Sequence, residues 1–295
     1  MLGDKNRSLS HAMMILATLL ISTSFPVCQI IAPKLDTGLL TLFRFSLASL
    51  IFYPIVYLKY KFKWPGSKRI FQYSLISFCL VTFFWSMFEA LRYTSALNAG
   101  TLYALVPGLS AIFSIILVRE KLDRGRVLAF LLGIFGSVWV VFRGDINALL
   151  SLDYNKGDLI FFGGVFFMSL YTPLVKRFHT GEPVPVMTFW IILSGTVWLF
   201  LFNQSAVWKV SFEEIEYSVI AGLLYLSVFT TIISFFLLQF ATIQIGPTKV
   251  ASYSYLNPVA VLVVATLFFE QSVPSIIVLP GVIIVLLAVI AIQKK

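Results

Sequence analysis

Ten long apolar segments follow one another along the 295-residue chain, with only short connectors between them. We place them at about 11–31, 39–58, 70–91, 98–118, 127–143, 158–178, 186–203, 217–240, 248–269 and 277–292. An apolar run of about 20 residues is long enough to cross the hydrocarbon core of a bilayer as one helix. The runs are continuously apolar rather than alternating, which disfavours a membrane barrel. The pattern predicts an all-α integral membrane protein with ten transmembrane helices.

The scarcity of charge supports this class and excludes several others. Only 12% of the residues are charged, whereas about a quarter of a soluble globular protein is charged. A soluble enzyme, a secreted disulfide module and a disordered scaffold are therefore excluded. The two histidines are too few and too separated for a metal cluster, and the two cysteines lie inside apolar segments, where a structural disulfide is not expected. There is also no phosphate-binding loop and no clustered nucleophile and base, so we predict no enzymatic activity, no cofactor and no metal.

Lysine and arginine are distributed unevenly between the two sets of connectors. If the N-terminus faces the cytoplasm, sixteen of the 22 basic residues lie on the inner side and five on the outer side, with Arg44 inside a span. Cytoplasmic connectors of membrane proteins carry such an excess. We therefore predict a multi-pass protein of the cytoplasmic (inner) membrane with both termini in the cytoplasm. The basic residues are expected to meet lipid headgroups, and nucleic acid is not an expected partner.

The two halves of the chain carry the same markers in the same order. These are Pro107, Glu120 and Gly133 in the first half, and Pro258, Glu270 and Gly281 in the second. Each half holds five spans, and because five is odd the second half must enter the membrane in the opposite orientation. We predict two inverted five-helix repeats, residues 1–150 and 151–295, around a central cavity. Inverted repeats of this kind build alternating-access transporters.

Several local motifs resemble those of the EamA-type members of the drug/metabolite transporter superfamily, over nearly the whole chain. They are Leu-Phe-Arg-Phe at 42–45, Glu-Ala-Leu-Arg-Tyr-Thr-Ser-Ala at 89–96, Leu-Val-Pro at 105–107, Arg-Glu-Lys at 119–121, Gly133 with Gly136, Leu-Asn-Pro at 256–258, Phe-Glu at 269–270, and Gly281. The resemblance implies a cavity lined mainly by spans 1, 3, 4, 6, 8 and 9. It also implies transport of small metabolites, often by export or exchange.

Glu89 is the most informative ionisable residue, because a charge within a span is a functional candidate. It shares one helix face with Trp85 and Arg92. Two roles are open, which are binding of a substrate cation together with the Trp85 ring and exchange of protons. The alternative is an ion pair with Arg92 or Arg44 at the outer rim. Arg44 itself could attract a substrate carboxylate, although the family resemblance favours an architectural role.

Polar and aromatic side chains concentrate on the helices expected to line the cavity. The predicted substrate-binding residues are Phe25, Trp85, Glu89, Thr101, Tyr103, Tyr171, Ser234, Tyr255 and Asn257. Pro107 and Pro258 each remove a backbone donor inside a span, and we predict that the helices pivot there. Static kinks are the alternative.

These observations predict a secondary transporter that moves a small polar or amphipathic metabolite by alternating access. Amino acids or similar compounds are the first choice of substrate, by export or exchange, with a proton or counter-substrate as a possible partner. The alternative is uptake of a cationic nutrient such as a choline-like amine. From different classes, an integral-membrane enzyme or a non-transporting membrane subunit would show no substrate-dependent flux.

Overall fold

The computed structural model describes residues 2–61, 64–94, 96–152, 155–208, 215–268 and 276–294, and within these ranges it contains helices and turns but no strand. Nine helices in the described part of the chain are long and apolar enough to cross a membrane. The remaining predicted segment, at 248–269, is also helical over its described residues, but it is divided into three shorter pieces. The predicted all-α membrane fold with ten helical spans is therefore confirmed.

We number the spans in chain order. Their bounds are Leu2–Ile31 (span 1), Thr37–Tyr60 (span 2), Ser67–Ala90 (span 3), Ala96–Tyr103 with Val106–Val118 (span 4), Arg124–Val141 (span 5), Lys156–Phe178 (span 6), Val184–Phe202 (span 7), Tyr217–Ser227 with Val228–Ile233 and Ser234–Ile245 (span 8), Pro247–Ser252 with Tyr253–Leu256 and Asn257–Phe268 (span 9), and Leu279–Gln293 (span 10). The piece Val228–Ile233 is a π-helix, and Tyr253–Leu256 is a 3-10 helix.

Short polar side chains start several spans where the sequence turns. Asp36 accepts hydrogen bonds from the backbone N–H groups of Gly38 and Leu39 at the start of span 2. Asn155 and Asp158 form a reciprocal capping box at the start of span 6. Such caps satisfy N–H groups that a helix leaves without partners at its N-terminus.

The two halves of the chain pack in equivalent ways. Each span of the first half corresponds to the span five places later in the second half, so that span 1 corresponds to span 6 and span 5 to span 10. Span 3 packs along span 6, and span 8 packs in the same way along span 1. Span 4 contacts span 6, as span 9 contacts span 1, while spans 2 and 7, 4 and 9, and 5 and 10 pair with each other. This exchange is the contact pattern of two inverted five-helix repeats. The predicted boundary at residues 150 and 151 falls at the end of the short connecting helix Ile146–Leu150 and remains a prediction.

Hydrogen bonds between helix ends show which ends share a face of the protein. Arg7 at the start of span 1 and Lys249 at the start of span 9 both donate to the carbonyl of Gln293, at the end of span 10. Lys34 and Glu216 join the end of span 1 to the start of span 8, with Nζ and Oε2 2.6 Å apart. The start of span 1 and the end of span 10 therefore lie at the same face, which we call the terminal face.

Glycine permits the closest approach between spans 3 and 6. A Cβ atom on Gly164 would lie 2.9 Å from the Cβ atom of Ser86, and one on Gly157 would lie 2.7 Å from the carbonyl oxygen of Ala90. Both distances are shorter than ordinary contact between carbon or oxygen atoms. Small residues of this kind are the usual means of close helix packing in membranes.

Candidate functional site

A cavity lies at the centre of the protein, between spans 1, 4, 6, 8 and 9. Its lining residues are Met14, Thr18, Ile21, Tyr103, Val106, Ser110, Met168, Thr172, Leu238, Val250, Ala251, Tyr253, Ser254 and Asn257. The volume is about 50 Å³, little more than the roughly 30 Å³ that one water molecule occupies in the liquid. In this conformation the helices are therefore closed around the cavity.

Two broken helices meet at the cavity. Span 4 is interrupted between Tyr103 and Val106, and span 9 contains the 3-10 turn Tyr253–Leu256. Each break comes just before a proline, because proline lacks the N–H group that the helix needs. The side-chain amide of Asn257 donates to the Tyr103 hydroxyl across 3.4 Å, so the two breaks are joined directly.

No charged side chain is among the fourteen described residues that line the cavity. Its polarity comes from hydroxyl groups and one amide, including Ser110 and Thr172, whose hydroxyls are 3.0 Å apart. The two methionines and the aliphatic side chains supply an adaptable apolar wall. Such a lining can surround a neutral or zwitterionic molecule, whereas a net charge would lose its hydration without a compensating side chain.

On the side of the terminal face, hydrogen bonds close the cavity floor. Nδ1 of His11 lies 2.8 Å from the hydroxyl of Tyr253, joining span 1 to span 9. Below this pair, Thr248 donates to the carboxylate of Glu120 and links spans 9 and 4. Together with the contacts of Arg7 and Lys249 to Gln293, these hydrogen bonds connect the ends of spans 1, 4, 9 and 10 around the floor.

A buried carboxylate joins the helix ends on the opposite side. Asp158 accepts hydrogen bonds from the Thr94 hydroxyl at 2.5 Å and from the Asn98 amide at 3.1 Å. It also accepts from the backbone N–H of Asn155 at 2.7 Å. These donors balance the negative charge and hold the starts of spans 4 and 6 together.

Of the predicted substrate-binding residues, Tyr103 and Asn257 line the cavity together. Tyr171 is buried and its hydroxyl accepts a hydrogen bond from Gln239 at 3.0 Å. The Tyr255 hydroxyl donates to the Phe130 carbonyl of span 5 at 3.0 Å, and Ser234 donates to its own helix. Four further residues complete the set. Thr101 is half-buried outside the lining residues, and the Phe25 side chain lies outside the described part of the structure. Glu89 and Trp85 line a different pocket.

Glu89 and Trp85 line a second pocket, between the start of span 2 and the ends of spans 3 and 7. Glu89 Oε2 lies 3.3 Å from Nη1 of Arg92, so the ion pair predicted as the alternative role of Glu89 is present. Trp85 and Glu89 line this pocket together, whereas Arg92 lies in the turn beyond the end of span 3 at Ala90. The predicted pivot residues Pro107 and Pro258 follow the two helix breaks, and their pivoting remains a prediction.

Arg44 connects span 2 to the π-helix of span 8. Its Nε donates to the Thr231 hydroxyl at 2.6 Å, and its Nη2 donates to the Thr230 carbonyl at 2.8 Å. The guanidinium carbon also lies 5.6 Å from the centre of the Phe84 ring. No acidic side chain pairs with Arg44 in the described structure. These contacts fit the architectural role.

The family resemblance implied that span 3 helps to line the central cavity, and the structure differs in this one span. Span 3 contributes no residue to the described lining of the cavity, because it packs closely along span 6 through Ser86 and Gly164. The predicted binding residues also did not include Met14, Thr18 and Ser110, which line the cavity. Met14, Thr18 and Ile21 recur at i, i+4 and i+7, so a search for a mixed polar and apolar face on span 1 would have found them.

Comparison with known proteins relates the chain to transporters. The model of the EamA-like transporter family matches it twice, over residues 8–142 and 155–293. "Uncharacterized transporter YyaM" of Bacillus subtilis is 27% identical over 60% of this chain and 58% of the relative. An "Uncharacterized transporter" of Archaeoglobus fulgidus is 27% identical over 85% of this chain and 86% of the relative. A solved crystal structure with 18% identity superposes with a TM-score of 0.77 and covers 96% of both chains, which shows a shared fold.

Proposed function

The chain belongs to the EamA-like transporter family, and from that premise we propose that it is a secondary transporter for small neutral or zwitterionic metabolites. Amino acids or similar compounds are the first choice, moved by export or exchange. The observation that carries this proposal is the central cavity, where two broken helices meet among side chains that carry no charge.

The helix breaks supply both signs of partial charge that a zwitterion needs. The helices that begin at Val106 and Asn257 have their N-termini beside the cavity, where the helix dipole favours a carboxylate. The carbonyl of Tyr103 lacks its helical donor because Pro107 has no N–H, and it is therefore available to an ammonium group. Broken helices bind substrates in this way in several transporter folds.

Alternating access accounts for how such a site would be used. The cavity is too small for a metabolite in the closed conformation, so loading requires one set of helix ends to separate. The Tyr253–His11 pair and the Asp158 cluster lie on opposite sides of the cavity. The first joins spans 9 and 1, and the second joins spans 4 and 6, which are the corresponding spans of the other half. We propose that one set opens while the other stays closed, with Pro107 and Pro258 as the pivots.

The test is counterflow of labelled neutral amino acids in proteoliposomes, with Tyr103→Phe and Asn257→Leu compared with Tyr57→Phe. Tyr57 is half exposed on span 2 and away from the cavity, so its variant controls for tyrosine hydroxyl loss alone. One hydrogen bond to a bound substrate contributes about 1.5 kcal/mol, or roughly tenfold in affinity. We expect about a tenfold loss in each cavity variant. Wild-type counterflow in both cavity variants would overturn the assignment of the site.

The alternative substrate class is a cationic nutrient such as a choline-like amine. It is less favoured because Glu89, the acid proposed to recognise a cation, lies outside the central cavity. Competition of counterflow by quaternary amines, but not by neutral amino acids, would support it. Proton coupling through Glu89 is tested by Glu89→Gln, since unchanged pH dependence of transport would exclude that role.

We also propose that the terminal face is cytoplasmic, in the inner membrane. The excess of basic residues on that side supports the orientation. Labelling of single cysteines introduced at Lys34 and Lys294 with a membrane-impermeant reagent tests it. In intact cells only the Lys34 position should react, and reaction at Lys294 instead would reverse the orientation.

A further inference from the structure

The second pocket lies at the face opposite the termini, where the start of span 2 meets the ends of spans 3 and 7. It is lined by Thr37, Gly38, Thr41, Trp85, Phe88, Glu89, Leu199 and Asn203. None of these residues belongs to the lining of the central cavity, and spans 2 and 7 take no part in that lining. The pocket is therefore a separate feature at the level of the membrane surface.

The polar groups of this pocket are left mainly as acceptors. Thr41 donates its hydroxyl hydrogen to the Thr37 carbonyl at 2.9 Å. The amide nitrogen of Asn203 donates to the Leu199 carbonyl at 2.8 Å, at the end of span 7. Because these donors are engaged within their own helices, the carboxylate of Glu89 favours a ligand that itself donates hydrogen bonds. A positively charged nitrogen satisfies both the charge and the hydrogen bonding.

Two aromatic rings complete the environment of a cation. Trp85 and Phe88 come from the same end of span 3 as Glu89, so rings and carboxylate converge on one pocket. Aromatic faces attract ammonium groups, and tryptophan does so most strongly. Trp85 is 50% exposed, in keeping with the enrichment of tryptophan at the headgroup level of membranes.

The size of the pocket limits what can enter. Its volume is about 60 Å³, room for roughly two water-sized groups. An ammonium group with its attached carbon fits this space. The rest of a larger ligand would then lie outside the pocket, towards the headgroup layer.

Arg92 provides the complementary charge beside the carboxylate of Glu89. Its side chain is 64% exposed and pairs with Glu89 at 3.3 Å within the same stretch of chain. An ion pair whose arginine is largely exposed contributes little stability, so an ammonium group can replace Arg92 at the carboxylate. The released guanidinium would then face a phosphate next to the ammonium, as in a zwitterionic headgroup.

From these contacts we infer that the pocket binds the headgroup of an amine-bearing phospholipid in the leaflet opposite the terminal face. The ammonium enters between Glu89, Trp85 and Phe88, and the phosphate meets Arg92. The inference is independent of the substrate proposed for the central cavity, since the two sites share no residue.

The experiment compares purified protein in nanodiscs of phosphatidylglycerol with protein in nanodiscs that also contain phosphatidylethanolamine. A bound lipid raises the apparent melting temperature by mass action. We expect the ethanolamine lipid to raise it for the wild type and for Glu216→Gln, the matched control. Glu216 is on the same face and pairs with Lys34, away from the pocket. The rise should be lost in Glu89→Gln and reduced in Trp85→Leu, where the exposed position tolerates the change.

Three results would overturn the inference. The first is an equal rise in Glu89→Gln and wild type, and the second is no rise in the wild type. The third is that free ethanolamine, added to discs of phosphatidylglycerol alone, saturably produces the same rise, which would identify a soluble amine rather than a lipid as the ligand. If Glu89→Gln does not fold, Trp85→Leu and its titration with the ethanolamine lipid decide the outcome.

Discussion

Replacement of Gly133 by alanine tests how span 9 is held against span 5. A Cβ atom at this position would lie 2.7 Å from Cδ2 and 2.8 Å from Cζ of the Tyr255 ring, where contact between carbon atoms is normally about 3.5–4.0 Å. The ring must therefore retreat by about 1 Å. Because the Tyr255 hydroxyl donates to the Phe130 carbonyl at 3.0 Å, that movement breaks the hydrogen bond.

The expected loss of stability combines the cost of overpacking with that of the broken hydrogen bond, and the higher helix propensity of alanine offsets part of it. Overpacking a well-packed interior costs about 1–3 kcal/mol, and the broken hydrogen bond costs about 1 kcal/mol. Alanine gains about 1 kcal/mol over glycine in a helix. The net destabilisation of Gly133→Ala is therefore about 1–3 kcal/mol. Gly163→Ala in span 6 is the matched control, since its Cβ atom would meet nothing within 4 Å, and it should be neutral or stabilising by up to about 1 kcal/mol.

The assay is thermal denaturation of both variants in the same detergent, repeated in a Tyr255→Leu background. Removing the ring relieves the clash, so Gly133→Ala should cost at least about 1 kcal/mol less in that background, which is a coupling of the size found for residues in contact. Equal costs in both backgrounds, or a Gly133→Ala variant as stable as Gly163→Ala, would refute the proposed contact between Gly133 and Tyr255.

Two further predictions concern charged residues. Arg44→Lys should lower the apparent melting temperature, because one ammonium group cannot reproduce both guanidinium hydrogen bonds to span 8. Each of these hydrogen bonds contributes about 1.5–3 kcal/mol. An unchanged melting temperature would contradict this prediction. Glu182 lies in the connector between spans 6 and 7, and burial by itself would raise the pKa of its carboxyl. Hydrogen bonds from its own backbone N–H and from Thr180, together with the charge of His179, outweigh this effect. They hold the pKa of Glu182 below its ordinary value of 4.5. Its ionised form therefore stabilises the fold above pH about 4.5, and this stabilisation is lost as the pH falls through the lowered pKa. Glu182→Gln should thus be less stable than the wild type at pH 7, with the difference shrinking in thermal denaturation below pH 4.5, and a constant difference would contradict the assignment.

The sequence alone determined the class and the repeat of this protein. Hydropathy is a local property, and a run of about 20 apolar residues has few alternatives to a membrane helix. Proline acts locally as well, so Pro107 and Pro258 indicated the two positions where spans 4 and 9 are interrupted. The order of Pro107 and Pro258 relative to the glycines of each half also revealed the repeat, which the exchange of helix contacts confirms.

Only the tertiary structure decided which polar side chains meet. Tyr103 and Asn257, 154 residues apart in sequence, share the central cavity, whereas Glu89 lies in a separate pocket although its helix was expected at the cavity. The difference depends on how each helix is rotated about its axis and on which neighbour it touches. In span 3 that rotation is set by close contact of Ser86 with Gly164, a contact between distant small residues that no local pattern in the sequence encodes.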